Sequence, residues 1–357
     1  MRPMRIDQLL PSIAYGDGVS NDAIALMKVI RSMGFESNIF AENIHPRLQN
    51  FVKKISDYKN YKKTDIMLYH FAIGSHVNDY AMNLRNVRKI MKYHNITPGH
   101  FIKSHNDEAY KLTKLGREQL ERSNICYEMA LADSEFNRRE LDELGYTNTH
   151  VLPILINFDD YEQAPDRKII NQYCDEKINL VFVGRIVPNK KQEDIIKTFY
   201  YYKNYVNPNS RLFLVGSYNG MERYYKDLLN LINHLKLNDV IFTGHIPFNH
   251  ILSYYHLADV FVCMSEHEGF CIPLVESMYF RIPIVAYDSC AVPETLGNSG
   301  VLLKNKDYIL AAETINVIIE NTLLRESIVE QQSIRLEHFN NECIINDFKR
   351  LLSLLIG

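Results

Sequence analysis

Short apolar runs alternate with longer amphipathic segments along most of the chain, a rhythm that predicts parallel strands joined by helices. Residues 6–13 read as a strand and its loop. Gly16-Asp17-Gly18 then precedes Ser20 and Asn21, either of which can cap a helix whose Ala23, Met27, Ile30 and Met33 share a face and which Gly34 ends. Strands are expected at 35–40, 65–70 and 89–95, and the last two carry histidine at their ends, His70 and His94. Helices follow at 108–123 and 136–144, and 149–156 reads as the closing strand of this half.

Residues 157–177 are polar, contain a proline and show no clear period, which marks them as an interdomain connection. A second alternating series begins at 178. Strands are expected at 178–183, 211–215, 240–242, 259–264 and 284–287, helices at 193–202, 221–235 and 251–258, and a helical tail from 307. The simplest architecture is α/β, with two Rossmann-like domains facing across a cleft. The first would cover 1–160 and the second 161–340. The strand at 259–264 feeds a loop in which Gly269 supplies backbone freedom. Pro273 is best tolerated in the first turn of a helix, whose amides would attract anions and sugar oxygens. Glu268 lies in that loop and Glu276 about one turn into the helix.

Composition changes this picture little. The 357 residues are 46% hydrophobic and 23% charged with a net charge of −3, which argues against whole-protein attraction to nucleic acid. The six cysteines include no CxxC pair, so reduced thiols are expected, with Cys263 and Cys290 as packing residues. No apolar run is long enough to span a bilayer and the first residues lead straight into a strand, which predicts a cytoplasmic protein.

Candidate chemistry gathers at the expected strand ends. Arg185 and Lys190 share one loop, where a guanidinium and an ammonium can converge on a phosphorylated ligand or merely be solvated. Gly16 and Gly18 allow close backbone approach or form a simple turn. His70 and His94 are cleft candidates or strand packing. Glu268 and Glu276 could hold a metal, act as an acid/base pair or accept sugar hydroxyls; the chain has no Asp-x-Asp to support the first. A basic stretch at 47–63, with Arg47, Lys53, Lys54, Lys59, Lys62 and Lys63 among Phe51, Tyr58 and Tyr61, continues in Arg85, Arg88, Lys89 and Lys92. It is either a solvated helix face or a peripheral contact with anionic lipid.

The combination resembles a family. Glu268-Gly269-Phe270-Cys271-Ile272-Pro273-Leu274-Val275-Glu276 is similar to the E-x7-E signature of glycosyltransferase family 4, retaining enzymes of the GT-B fold. Gly184-Arg185 with Lys190 resembles its G-R-x4-K loop, Gly244-His245-Ile246-Pro247 a strand-end turn, Gly16-Asp17-Gly18 its glycine loop, and Tyr69-His70 and Tyr93-His94 its cleft histidines. Cys271 and Lys191 stand where many members have glycine.

The resemblance implies a sugar transferred from a nucleoside-diphosphate sugar to a glycan or lipid-linked acceptor, with no metal and no cofactor beyond the donor. Arg185 and Lys190 would stabilise the leaving diphosphate, while Glu276 would accept ribose hydroxyls. Glu268 and His70 would meet the transferred sugar. Gly184, Gly269 and the amides of Phe270, Cys271 and Ile272 would complete the cradle, and Gly16 and Gly18 would admit phosphates or acceptor. A C-terminal helix at 341–357 would cross back to the first domain. A sugar-nucleotide epimerase or hydrolase, or a non-catalytic sugar-nucleotide binder, would keep the same donor contacts.

Overall fold

The computed structural model describes residues 4–14 and 16–356. The chain divides into two units, the first of Met1–Gly99, Glu108–Asn157 and Phe339–Gly357, the second of His100–Asp107 and Phe158–His338. The segment His100–Asp107 therefore leaves the expected 1–160 block. Its own bonds explain why, since the Asn106 amide donates to the Gly220 carbonyl at 2.7 Å and the Phe101 ring lies 6.3 Å from that of His267.

In the first unit the strands are β1 (Ile6–Ile13), β2 (Ile39–Ile44), β3 (Lys53–Lys54), β4 (Ile66–Phe71), β5 (Arg88–Tyr93), β6 (Met129–Ala132) and β7 (Thr149–Val151). Among the described residues they form one sheet in the order β3-β2-β1-β4-β5-β6-β7, with every pairing parallel. Because alternate residues face opposite sides, the central strands feed two cores. Met67, Tyr69, Phe71, Met91 and Tyr93 enter one. Ile6, Ile66, Leu68, Ile90 and Leu131 enter the other, beneath Leu26 and Ile30 of the helix Gly18–Ser32. The same core takes Ile344, Phe348, Leu351 and Leu352 from the helix Asn341–Ile356.

The second unit contains β8 (Ile178–Val183), β9 (Ser210–Val215), β10 (Val240–Phe242), β11 (Val260–Cys263), β12 (Ile284–Tyr287) and β13 (Val301–Leu303). Their order is β10-β9-β8-β11-β12-β13, again with parallel pairings among the described residues. Strand order reverses between β1 and β4 in one sheet and between β8 and β11 in the other. Chain leaving the two strands at such a point goes to opposite faces, so the carboxyl ends there stay open to a ligand.

Three local expectations change. The helix at 18–32 is capped by Asp17, whose carboxylate accepts the Ser20 amide at 3.0 Å, rather than by Ser20 or Asn21. The connection 157–177 contains a short 3₁₀ turn, Phe158–Glu162, and a helix, Arg167–Tyr173, capped by Asp166. The basic stretch 47–63 has no α-helix; it holds two 3₁₀ turns and the edge strand β3. Among the described residues, no helix is long and apolar enough to cross a membrane.

Phe348 is fully buried in the core of the first unit. Phe348→Ala is expected to destabilise that unit by about 3–5 kcal/mol through the cavity it leaves. Hydrogen exchange should show amides of β1, β4 and β5 losing protection while β8 and β11 keep theirs; equal loss in both units would contradict this assignment of the helix.

Candidate functional site

In the second unit the loops after β8 and β11 are fastened together by one buried residue, through both its side chain and its backbone. The Asn189 amide donates to the His267 carbonyl at 3.0 Å, and the Asn189 carbonyl accepts the Glu266 amide at 2.8 Å. The next residue, Lys190, is ion-paired with Glu268. Burial works against the ammonium, but the Glu268 carboxylate outweighs it and holds the Lys190 pKa above its usual value. An ammonium has three protons, so two remain for another acceptor after Glu268 takes one. Arg185 is exposed at the start of the same loop, with its guanidinium 3.5 Å from the Asn219 carbonyl. Close approach of the loops after β8 and β9 requires glycine at Gly216, where a β-carbon would stand 2.0 Å from the Gly184 carbonyl oxygen.

The loop after β11 turns into the helix Ile272–Tyr279 through Cys271, which takes the left-handed conformation at φ 71°. The backbone freedom expected of Gly269 is thus spent at Cys271, and this explains why glycine suits that position. No side chain among the described residues caps the helix, so its first-turn amides are left to backbone partners or a ligand. Lys191 is likewise left-handed, at φ 52°. Glu276 accepts the Tyr161 hydroxyl at 2.8 Å on one oxygen and the Tyr255 hydroxyl on the other. Burial pushes its carboxyl above the usual range despite both donors. Each carboxylate oxygen has a second lone pair, so Glu276 keeps acceptor capacity. Cys263 is buried as expected, but Cys290 is half-buried and its thiol contacts the Glu266 carbonyl at 3.4 Å.

In the first unit, Gly16 takes φ 78° in the loop after β1 and Gly18 begins the following helix. His70 stands at the end of β4 and is fully enclosed. Its Nε2 is 2.7 Å from Gln8 Oε1 and its Nδ1 2.8 Å from His94 Nε2. The expected contact between His70 and a donor sugar is therefore corrected: both ring nitrogens already have protein partners. His94 Nδ1 lies 2.9 Å from Asp133 Oδ2, and buried Lys92 pairs with Asp22 at 3.1 Å and with Asp133 at 3.5 Å.

These residues meet through strand parity. Gln8, His70, Lys92 and Asp133 each lie two residues beyond an apolar member of one core face, namely Ile6, Leu68, Ile90 and Leu131. Asp22 reaches them from the helix covering that face. Gln8, Asp22 and Asp133 escaped the sequence reading, which put Lys92 on a basic face, although the uninterrupted parity was a signal for Gln8 on β1, Lys92 on β5 and Asp133 just past β6.

Among the described residues, two triads have ligand atoms close enough to share an ion, Asp22 with His70 and His94, and Cys263 with Glu268 and Cys271. A lysine ammonium already neutralises one carboxylate of each, Lys92 at Asp22 and Lys190 at Glu268. The basic stretch keeps Arg47, Lys53, Lys54, Lys59, Lys62 and Lys63 exposed beside exposed Phe51. Its expected continuation does not hold, because Lys92 is buried, Arg88 pairs with Glu128 at 2.7 Å and Lys89 donates to the Met82 carbonyl.

Two Rossmann-like domains with open switch points and these strand-end clusters are the GT-B fold. Residues 164–334 match the family model described as "Glycosyl transferases group 1". The chain is similar to the structure of Anabaena HepE in complex with UDP and glucose, with a TM-score of 0.77 and 18% identity over 98% of this chain and 99% of that one. It is also similar to sucrose-phosphate synthase from Thermosynechococcus elongatus, with a TM-score of 0.74 and 15% identity over 98% and 99%. Among curated proteins, it is 26% identical to an uncharacterized glycosyltransferase of Methanocaldococcus jannaschii over 60% of this chain and 55% of that protein. It is 24% identical to the capsular polysaccharide biosynthesis glycosyltransferase CapM of Staphylococcus aureus, over 54% and 51%. The matched regions span about half the length of these curated relatives.

Proposed function

We propose that this chain is a glycosyltransferase that moves a sugar from a nucleoside-diphosphate sugar to a hydroxyl of a glycan or lipid-linked acceptor. The observation that carries the reading is the meeting of Lys190, Glu268 and an uncapped helix start at the β8/β11 switch point, with exposed Arg185 in the same loop. The match to group 1 glycosyl transferases supports it, and the relatives solved with UDP and sugar suggest the donor class.

The chemistry follows from charge. As the bond between the anomeric carbon and the diphosphate oxygen breaks, negative charge grows on the diphosphate, where fixed cations help most. Arg185 and the free protons of Lys190 take that role. Glu276 accepts the ribose hydroxyls, and Glu268, held by Lys190, keeps acceptor capacity for hydroxyls of the transferred sugar. These cations supply the charge a divalent ion would otherwise bring, so the reaction is assigned as metal-independent. Retention of anomeric configuration and membership of family 4 rest on the resemblance of Glu268 to Glu276 and of Gly184, Arg185 and Lys190 to that family's motifs. The exposed cations of the 47–63 stretch suit peripheral contact with an anionic inner membrane face from the cytoplasm.

Mass spectrometry of purified protein incubated with nucleotide sugars, with and without glycan and lipid-linked acceptors, should reveal a glycosylated product. Arg185→Ala and Lys190→Ala should each lower kcat about 10–100-fold, the loss of one charge-assisted hydrogen bond. Free sugar or an epimer formed without acceptor would replace transfer by hydrolysis or epimerisation.

An ionised Glu276 accepts from ribose more strongly than a protonated one, and burial has raised its pKa. Calorimetric affinity for a nucleoside diphosphate should therefore rise with pH through that raised value and weaken below it. Glu276→Gln should remove this acid limb; an unchanged limb in the variant would assign it to another group. Flotation with anionic vesicles tests the surface reading. Lys53→Glu with Lys54→Glu should abolish low-salt binding, whereas no wild-type flotation at low salt would exclude it.

A further inference from the structure

The side chains at the carboxyl end of the first sheet fix where their protons lie. Gln8 Nε2 donates to the Ala23 carbonyl at 2.9 Å, which turns its carbonyl oxygen toward His70. An amide oxygen only accepts, so His70 carries hydrogen on Nε2. Burial, then the neighbours His94 and Lys92, drive the His70 pKa well below its usual value, so this ring is neutral and its Nδ1 is a bare acceptor. The 2.8 Å contact to His94 then requires hydrogen on His94 Nε2. On the far side of that ring, Nδ1 meets the Asp133 carboxylate at 2.9 Å. Two lone pairs cannot face each other at either distance. Placing that proton on Asp133 instead is disfavoured, since carboxylates are more acidic than imidazolium and Lys92 lies 3.5 Å from the other Asp133 oxygen.

We infer that His70 and His94 share three ring protons rather than two, so that His94 is a buried imidazolium which Gln8 and His70 hold as positioning residues for the turn that follows it. The charges balance: Lys92 and His94 are the cations, and Asp22 and Asp133 the anions. Because the array is neutral, it supplies orientation rather than long-range attraction. The ring planes of the two histidines lie within 5° of each other, and fixing His94 fixes the turn that begins at Asn95, whose φ is 72°. That turn is held from its other side by Tyr93, whose hydroxyl accepts the Ile96 amide at 3.2 Å, and by Arg117, which donates to the Ile96 carbonyl at 2.6 Å.

The test is nitrogen-resolved NMR of the full chain labelled with 15N-histidine, at pH 7 and without substrate. His94 should show both ring nitrogens protonated, and His70 Nε2 alone. A bare nitrogen on His94 in the wild-type protein overturns the inference, whatever the transfer assays give. Gln8→Leu removes the acceptor that orients His70; the His70 proton should move to Nδ1, and His94 should lose its Nε2 proton. Gln8→Glu, which keeps an acceptor, should keep the wild-type pattern. An unchanged His94 in a folded Gln8→Leu protein overturns the orienting role.

Discussion

A parallel strand that ends where its neighbours' order reverses has no helix crossing over its carboxyl end, because the chain leaves the two adjoining strands toward opposite faces. Both sheets contain such a point, at β1/β4 and at β8/β11. The loops set there must then make their own structure. In the second unit they do so through Asn189, which is buried and bonds to both Glu266 and His267. With that link in place, Lys190 can reach Glu268, and the chain can enter the next helix through a left-handed residue.

The two units handle their buried charges differently. Around Lys190 and Glu268 the pair remains partly open, with the lysine side chain 22% exposed and the glutamate 6%. Its unused donor and acceptor sites are therefore available to a ligand. In the first unit, Lys92, Asp22, Asp133 and the two histidines are closed off and paired in charge, while the Lys92 ammonium donates to the carbonyls of Leu152 and Pro153, which helps to offset their desolvation. The first arrangement suits recognition and the second suits rigidity.

Much of this was legible because parallel strands buried on both faces leave apolar runs, and because Gly, Pro and charged residues follow them at 184–191 and 265–273. The path from β11 through its loop into the helix carrying Glu276 could be read directly. Contacts between distant segments could not. Asp22 looked like an ordinary helix residue until the fold set it above Lys92, and Tyr161 lay in what resembled a linker until its hydroxyl met Glu276. His70 was read as a ligand contact because a histidine at a strand end has that chemistry; only the Gln8 and His94 distances reveal that its nitrogens are committed. Arg88 and Lys89 illustrate the converse, since sequence records charge but not the carboxylate or carbonyl that takes it up.

The last helix gives the chain an order of completion. Ribosomes deliver residues from the amino end, and domains ordinarily fold as they emerge. Here Ile344, Phe348, Leu351 and Leu352 close a core begun by Ile6 and Leu26. The sheet of the first unit must therefore wait, with one apolar face unsealed, until residues 344–352 have been made. The segment carrying β8 to β13 is synthesised in between. Nascent chains paused before residue 344 would thus expose sticky surface on the first unit, and a chaperone would be expected to hold them there.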